Sequence, residues 1–129
     1  MLTSVGVIGA GGHCKVVVEA IAKMSSSCTI SIFDTDEAKT GDSILGYEVQ
    51  LFTSPELTPD TLFVAIGDNQ IRESVTRMLN KEGKTLATVL HPDANLSTSS
   101  RVEEGTFVAA LAVVSSDATV GKGCIINHR

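Results

Sequence analysis

No tryptophan occurs anywhere in the chain, and phenylalanine and tyrosine bring the aromatic share to only 4%. That scarcity removes the stacking platforms on which single-stranded nucleic acids are held. Positive charge is also short: 10 Lys and Arg stand against 15 Asp and Glu, a formal net charge of −5. Nucleic acid and anionic lipid both need a basic surface to displace counterions, so neither is expected as a partner. Cysteine is limited to Cys14, Cys28 and Cys124, an odd number without a CxxC pair. Reduced thiols of a cytosolic protein are the simplest reading. No window approaches the roughly 18 apolar residues of a membrane span. The start MLTSVGVIGAGG lacks the basic segment and long apolar run of a signal peptide. A cytoplasmic location is therefore expected.

What is present falls into two kinds of patterning. Up to about Leu90, short apolar runs alternate with amphipathic stretches. SVGVIG (Ser4–Gly9), CTISIFD (Cys28–Asp34), TLFVAIG (Thr61–Gly67) and TLATVL (Thr85–Leu90) read as strands, and GYEV (Gly46–Val49) as a short edge strand. HCKVVVEAIAKM (His13–Met24) carries Val17, Ile21 and Met24 at helical spacing. NQIRESVTRMLNKEG (Asn69–Gly83) reads as a second helix, capped by Asp68 or Asn69, with Ile71, Val75, Met78 and Leu79 as its apolar stripe. Glu73 and Arg77 pair along it, and Gly83 lies just past its end. This order predicts a small open α/β sheet with parallel strands.

From Ala94 the period becomes six: ANLSTS, SRVEEG, TFVAAL, AVVSSD, ATVGKG, CIINHR. The third place is always aliphatic (Leu96, Val102, Val108, Val114, Val120, Ile126). The first is always small (Ala94, Ser100, Thr106, Ala112, Ala118, Cys124). A hexapeptide repeat of this kind builds a triangular solenoid, three repeats to a coil, with the third residue stacking inward. An ordinary β-meander would not hold so strict a period. Two units are expected: a Rossmann-like domain over residues 1–92, and the first two coils of a β-helix over residues 93–129. The stacking column runs unbroken to Ile126 and only His128-Arg129 leave it, so the tail reads as a truncation.

Three loops leave strands at one edge of the predicted sheet, where ligands of open α/β folds collect. GAGGHCK supplies Gly9, Gly11 and Gly12, which either let backbone N–H groups approach a phosphate at the helix N-terminus or serve turn geometry alone. Cys14 stands where a dinucleotide fingerprint wants its third glycine, which argues against a nicotinamide-dependent oxidoreductase. Asp34, 25 residues after Gly9, is placed to accept ribose hydroxyls or is a solvated strand end. Asp36 belongs to the same loop. In AIGDNQIR, Gly67 permits close approach, Asp68 and Asn69 offer side chains or act as caps, and Arg72 faces out from the first helical turn. His13 points at a ligand or caps the first helix, His91 before Pro92 reads as structural, and His128 is next to last. Neither a nucleophile–histidine arrangement nor a metal cluster can be assembled, so no catalytic or metal-ligating residue is predicted.

VGVIGAGGHCKVV, IFDTD, VAIGDNQIR and LHPDA, followed by the hexapeptide repeat, together resemble the sugar O-/N-acyltransferases. That family includes sialic acid O-acetyltransferases and UDP-4-amino-sugar N-acetyltransferases. The resemblance implies a Rossmann-like α/β domain that holds a nucleotide sugar, UDP- or CMP-linked. It also implies a left-handed β-helix that trimerises and binds acetyl-CoA as co-substrate. By the same resemblance Gly11, Gly12 and His13 lie along the diphosphate, Asp34 near ribose and base, and Gly67, Asp68 and Asn69 beside the same pocket. The family's catalytic histidine belongs to a coil after GCIIN, so His128 is not its counterpart and the acetyl-CoA coils are not expected here. The implied function is the N-terminal portion of an acetyl-CoA-dependent sugar acetyltransferase, binding nucleotide sugar without turnover. A non-catalytic nucleotide-binding or oligomerisation module is the rival.

Overall fold

The computed structural model describes residues 2–127. β1 (Ser4–Ile8), β2 (Thr29–Asp34), β3 (Ser43–Ile44), β4 (Tyr47–Leu51), β5 (Thr61–Val64) and β6 (Thr85–Leu86) make one sheet in the order β3-β4-β2-β1-β5-β6. Neighbours run parallel except β3, which returns antiparallel on β4. The central strands read as unbroken apolar runs because both faces are covered. On one face Val5, Val7 and Ile32 pack with Val17, Val18 and Ile21 of α1 (Cys14–Met24). On the other, Ile8, Leu62 and Val64 pack with Val75, Met78 and Leu79 of α2 (Asn69–Lys81). Among the described residues no helix is long and apolar enough to cross a membrane.

Two strand expectations need correction. GYEV was expected at the edge, but β4 lies inside the sheet beside β2. Leu45 and Gly46, both at positive φ, turn the chain tightly enough to lay Ser43–Ile44 along its outer side. TLATVL is not one strand. Leu86 ends β6 against Leu62, the chain bends at Ala87-Thr88, and β7 (Val89–Leu90) pairs instead with Phe107–Val108.

That pairing opens the solenoid. After β7 come β8 (Asn95–Leu96), β9 (Arg101–Val102), β10 (Phe107–Val108), β11 (Val113–Val114), β12 (Thr119–Val120) and β13 (Ile125–Ile126). They stack as three parallel ladders, β7-β10-β13, β8-β11 and β9-β12, each partner 18 residues further on. TVLHPD (residues 88–93) is thus a further repeat, with Thr88 and Leu90 in the small and aliphatic places. The inner column is the expected one: Val108, Ala112 and Val114 are buried, with Leu90, Leu96, Val102, Val120 and Ile126 against them. Thr106, at a first place beside this column, is polar and fully buried. Its hydroxyl donates to Gly121 O at 2.7 Å and accepts from Cys124 N at 3.2 Å, so its burial leaves nothing unpaired.

The two units are joined by one face of the solenoid. Second-place residues point away from the inner column, and on the β7-β10-β13 ladder these are Val89, Phe107 and Ile125. Val89 and Phe107 are fully buried in the core shared with α1 and β5, and Ile125 packs against it. The second places of the other ladders include Asn95, Arg101 and Thr119, all exposed. Val113, on the β8-β11 ladder, is apolar but 63% exposed, so it is the buried apolar second places that recur every third repeat, where the α/β unit sits.

Candidate functional site

The three predicted loops do gather at the carboxyl edge of the sheet. A cleft of about 200 Å³ opens there, floored by Ile8 and Gly9, walled by Asp34, Thr35 and Phe52 on one side and by Ile66 and the α2 residues Ile71, Val75 and Met78 on the other. Ile71 was expected in the buried stripe but is 53% exposed, because it belongs to the cleft wall and not to the core.

Gly9 is where geometry demands glycine. Its φ is +109°, and a Cβ there would lie 2.9 Å from Ala65 O, so the first and third loops touch backbone to backbone. Gly11 and Gly12 differ. Neither has positive φ, a Cβ on Gly12 would meet nothing within 4 Å, and both residues are exposed. The turn itself does not require them, and their open backbone is free for a ligand to approach.

Asp34 organises the loop through both oxygens: Oδ2 accepts from Ala10 N at 2.7 Å and Oδ1 from Asp36 N at 2.8 Å. Asp36 in turn accepts from Ala38 N at 3.0 Å, capping the 3₁₀ turn Glu37–Lys39. The two acids thus tie the glycine loop to the segment after β2.

The third loop forms a second cluster. Asp68 caps α2 through Ile71 N at 2.9 Å. Asn69 Oδ1 accepts from Arg72 at 2.6 Å, and the same guanidinium donates to Ile66 O at 3.0 Å, Gly67 O at 3.2 Å and Gly123 O at 2.9 Å. The expectation that Arg72 faces solvent is therefore overturned. It is half-buried, because the solenoid returns alongside α2, and it clamps the loop to the turn before β13. Gly67, Asp68 and Asn69 are held by this clamp, and the Asp34 group by its own hydrogen bonds.

His13 sits between the units. Its ring meets Phe107 edge-on with centroids 5.1 Å apart, and Nε2 is buried with no hydrogen-bond partner. Burial, reinforced by the Arg72 charge, holds its pKa below the ordinary 6.5, so the ring is neutral at pH 7. It makes no side-chain cap, which removes one of its two expected roles. Cys14 is fully buried and its thiol is pushed up to about 11, first by burial and then by the Asp34 carboxylate, against an opposing pull from Lys39. That makes it a packing residue and not a nucleophile. His91 is structural as expected: Nδ1 accepts from Asp93 N at 3.0 Å across the Pro92 turn. His128 lies outside the described residues.

The interface residues were the ones missed from sequence. Phe107 had a signal available, the 18-residue recurrence with Val89 and Ile125. Phe52 and Lys39 follow strands in segments with no periodicity to mark them.

Residues 4–79 match the family of the PglD N-terminal domain. A curated relative, the UDP-N-acetylbacillosamine N-acetyltransferase of Bacillus subtilis (strain 168), is 34% identical over 118 residues, covering 84% of this chain and 52% of the relative. Among solved structures, a mutant of perosamine N-acetyltransferase from Caulobacter crescentus, in complex with CoA and GDP-perosamine, superimposes with a TM-score of 0.84 at 34% identity. The match covers 98% of this chain and 61% of that one. The acetyltransferase domain of PglB from Neisseria gonorrhoeae FA1090, in complex with acetyl coenzyme A, matches at 0.83 and 34%, covering 98% and 62%. The chain thus spans about half the length of the curated relative.

Proposed function

The chain belongs to the family of the PglD N-terminal domain, and from that premise we propose that it is the nucleotide-sugar-holding portion of an acetyl-CoA-dependent sugar N-acetyltransferase. The observation that carries this is the superposition on the perosamine enzyme, whose structure contains both CoA and GDP-perosamine and which this chain matches through α/β unit and solenoid alike. In this reading the sugar nucleotide, UDP-, GDP- or CMP-linked, lies across the carboxyl edge of the sheet. The exposed backbone of Gly11 and Gly12 faces its phosphates, and the cleft beside Gly9, Asp34 and Phe52 takes the nucleoside. The Asp34–Asp36 ladder shapes the loop. Gly67, Asp68 and Asn69, braced by Arg72, border the sugar. His13, neutral and with a free Nε2, stands where the sugar would approach the solenoid.

Acetyl-CoA is the acyl donor of that reaction, and we place its site on coils of the longer protein, since this chain covers 61% of the CoA-bound relative. The solenoid begins at Thr88, a few residues before the division expected at residues 92 and 93, and in this reading the α/β unit serves binding while the solenoid serves assembly as a homotrimer. Leu111 at 74% exposure and Val113 at 63%, both on the solenoid surface, favour self-association.

Calorimetric titration of the folded chain with UDP, GDP, CMP and their sugar conjugates tests the reading. Saturable heat with at least one is expected, and none with any would refute it. A trimer in sedimentation without nucleotide affinity would favour the oligomerisation module, the reading that the exposed Leu111 and Val113 support by themselves.

A further inference from the structure

We propose that Lys39 is a ligand-binding residue of this site, its ammonium held over the open glycine loop to take the phosphate oxygens of a diphosphate. The inference rests on the nucleotide-sugar reading and adds to it a residue further along the second loop, which the sequence did not single out. Lys39 ends the 3₁₀ turn after β2, and its Nζ lies 3.9 Å from where a Cβ on Gly11 would stand. The side chain crosses from the second loop to the first. It is half-buried, yet among the described residues Nζ makes neither an ion pair nor a hydrogen bond. Lys84 has Asp60 at 4.0 Å, Lys122 has Glu104 at 3.8 Å, and Arg72 is hydrogen-bonded throughout, while Lys15, Lys23, Lys81 and Arg101, also without partners among the described residues, are exposed.

An unmatched cation here is electrostatically costly, because it faces the positive end of the α1 dipole across the exposed backbone of Gly11 and Gly12. A bound dianion removes that conflict, since the ammonium, the dipole and the free N–H groups all favour it. The placement is also built. Asp34 holds Asp36, Asp36 caps the turn, and the turn presents Lys39, so Asp34, read in the sequence as a ribose acceptor or a solvated strand end, helps with Asp36 to aim a cation. The charge does reach the loop, for it pulls on the Cys14 thiol in opposition to Asp34.

The test titrates wild-type, Lys39→Gln and Lys39→Arg chains with UDP, GDP, the corresponding nucleosides and inorganic pyrophosphate. Loss of one charge-assisted contact to phosphate weakens nucleoside diphosphate binding about ten- to a hundredfold in Lys39→Gln. Lys39→Arg recovers most of the affinity, nucleosides bind both chains alike, and the melting temperature of Lys39→Gln does not fall, because Nζ holds no protein group and its charge is unfavourable in the free chain. Diphosphate affinity of Lys39→Gln within twofold of wild type would overturn the assignment while leaving the nucleotide reading intact. Lys39-dependent binding of pyrophosphate without binding of any nucleotide would support Lys39 and refute that reading. No binding of either would refute both.

Discussion

Replacing Phe107 by alanine probes the joint between the two units more directly than any other change. The ring is fully buried. It lies 6.3 Å from Phe63 on the α/β side and 5.1 Å from His13 at the start of α1, both edge-on. Truncating a buried phenylalanine removes its transfer energy and leaves a cavity, about 3–5 kcal/mol together. The upper half of that range is expected, because the edge-on aromatic contacts are lost as well. With an unfolding entropy of about 2.1 cal/mol/K per residue over 129 residues, the melting temperature should fall by about 15–18 °C. Thermal unfolding followed by circular dichroism measures the fall, and urea unfolding the free-energy loss. Thr119→Ala is the control: it holds the same second place on a ladder facing solvent and should change stability by no more than about 0.5 kcal/mol. A loss below about 1.5 kcal/mol at Phe107, or equal losses at both positions, would refute the idea that every third repeat is specialised for packing.

Acidification should destabilise the fold through His13. Its folded pKa lies below 6.5, so the unfolded chain binds more protons; the contribution is fully present above that value and is lost as pH falls through the folded pKa. Melting curves of His13→Gln should show a shallower dependence below pH 6.5, and an unchanged slope would sink the assignment. Arg72→Met leaves Ile66 O, Gly67 O and Gly123 O without their donor and should cost about 1.5–3 kcal/mol, with faster amide exchange around Gly123; unaltered exchange there would mean the clamp does not hold in solution. Thiol labelling of the native chain at pH 8 should spare Cys14, whose pKa is about 11, and labelling of Cys14 as fast as that of Cys124 would contradict its burial.

The inner column of the solenoid was readable because the third place of every repeat does one job on every face, so Leu96 through Ile126 announce themselves by identity alone. The second place does different jobs on different faces, and its pattern emerges only once Val89, Phe107 and Ile125 are known to share a ladder. TLATVL read as one strand because both of its halves are buried, and no change of polarity marks the bend at Ala87-Thr88 where the chain changes partners. Arg72 looked solvated because helical spacing reports the side of α2 that meets the sheet and says nothing of a solenoid returning along it. Asp34 and Asp36 were singled out for sound chemical reasons, but their acceptor oxygens go first to backbone N–H groups. Such local bonding becomes visible only when the turn is built.

The keyed face of the solenoid sets a rule for changes in length. Each strand meets its ladder partner 18 residues on. Inserting or deleting a single hexapeptide between Val89 and Phe107 would keep every aliphatic residue in the inner column, yet turn all later faces by a third of a revolution. Phe107 would swing off the gripped face, and Arg101 after an insertion ahead of it, or the smaller Val113 after a deletion, would meet the α/β unit in its place. The solenoid can therefore lengthen one repeat at a time only beyond the region the α/β unit grips. Within it, a tolerated change comes as a whole coil.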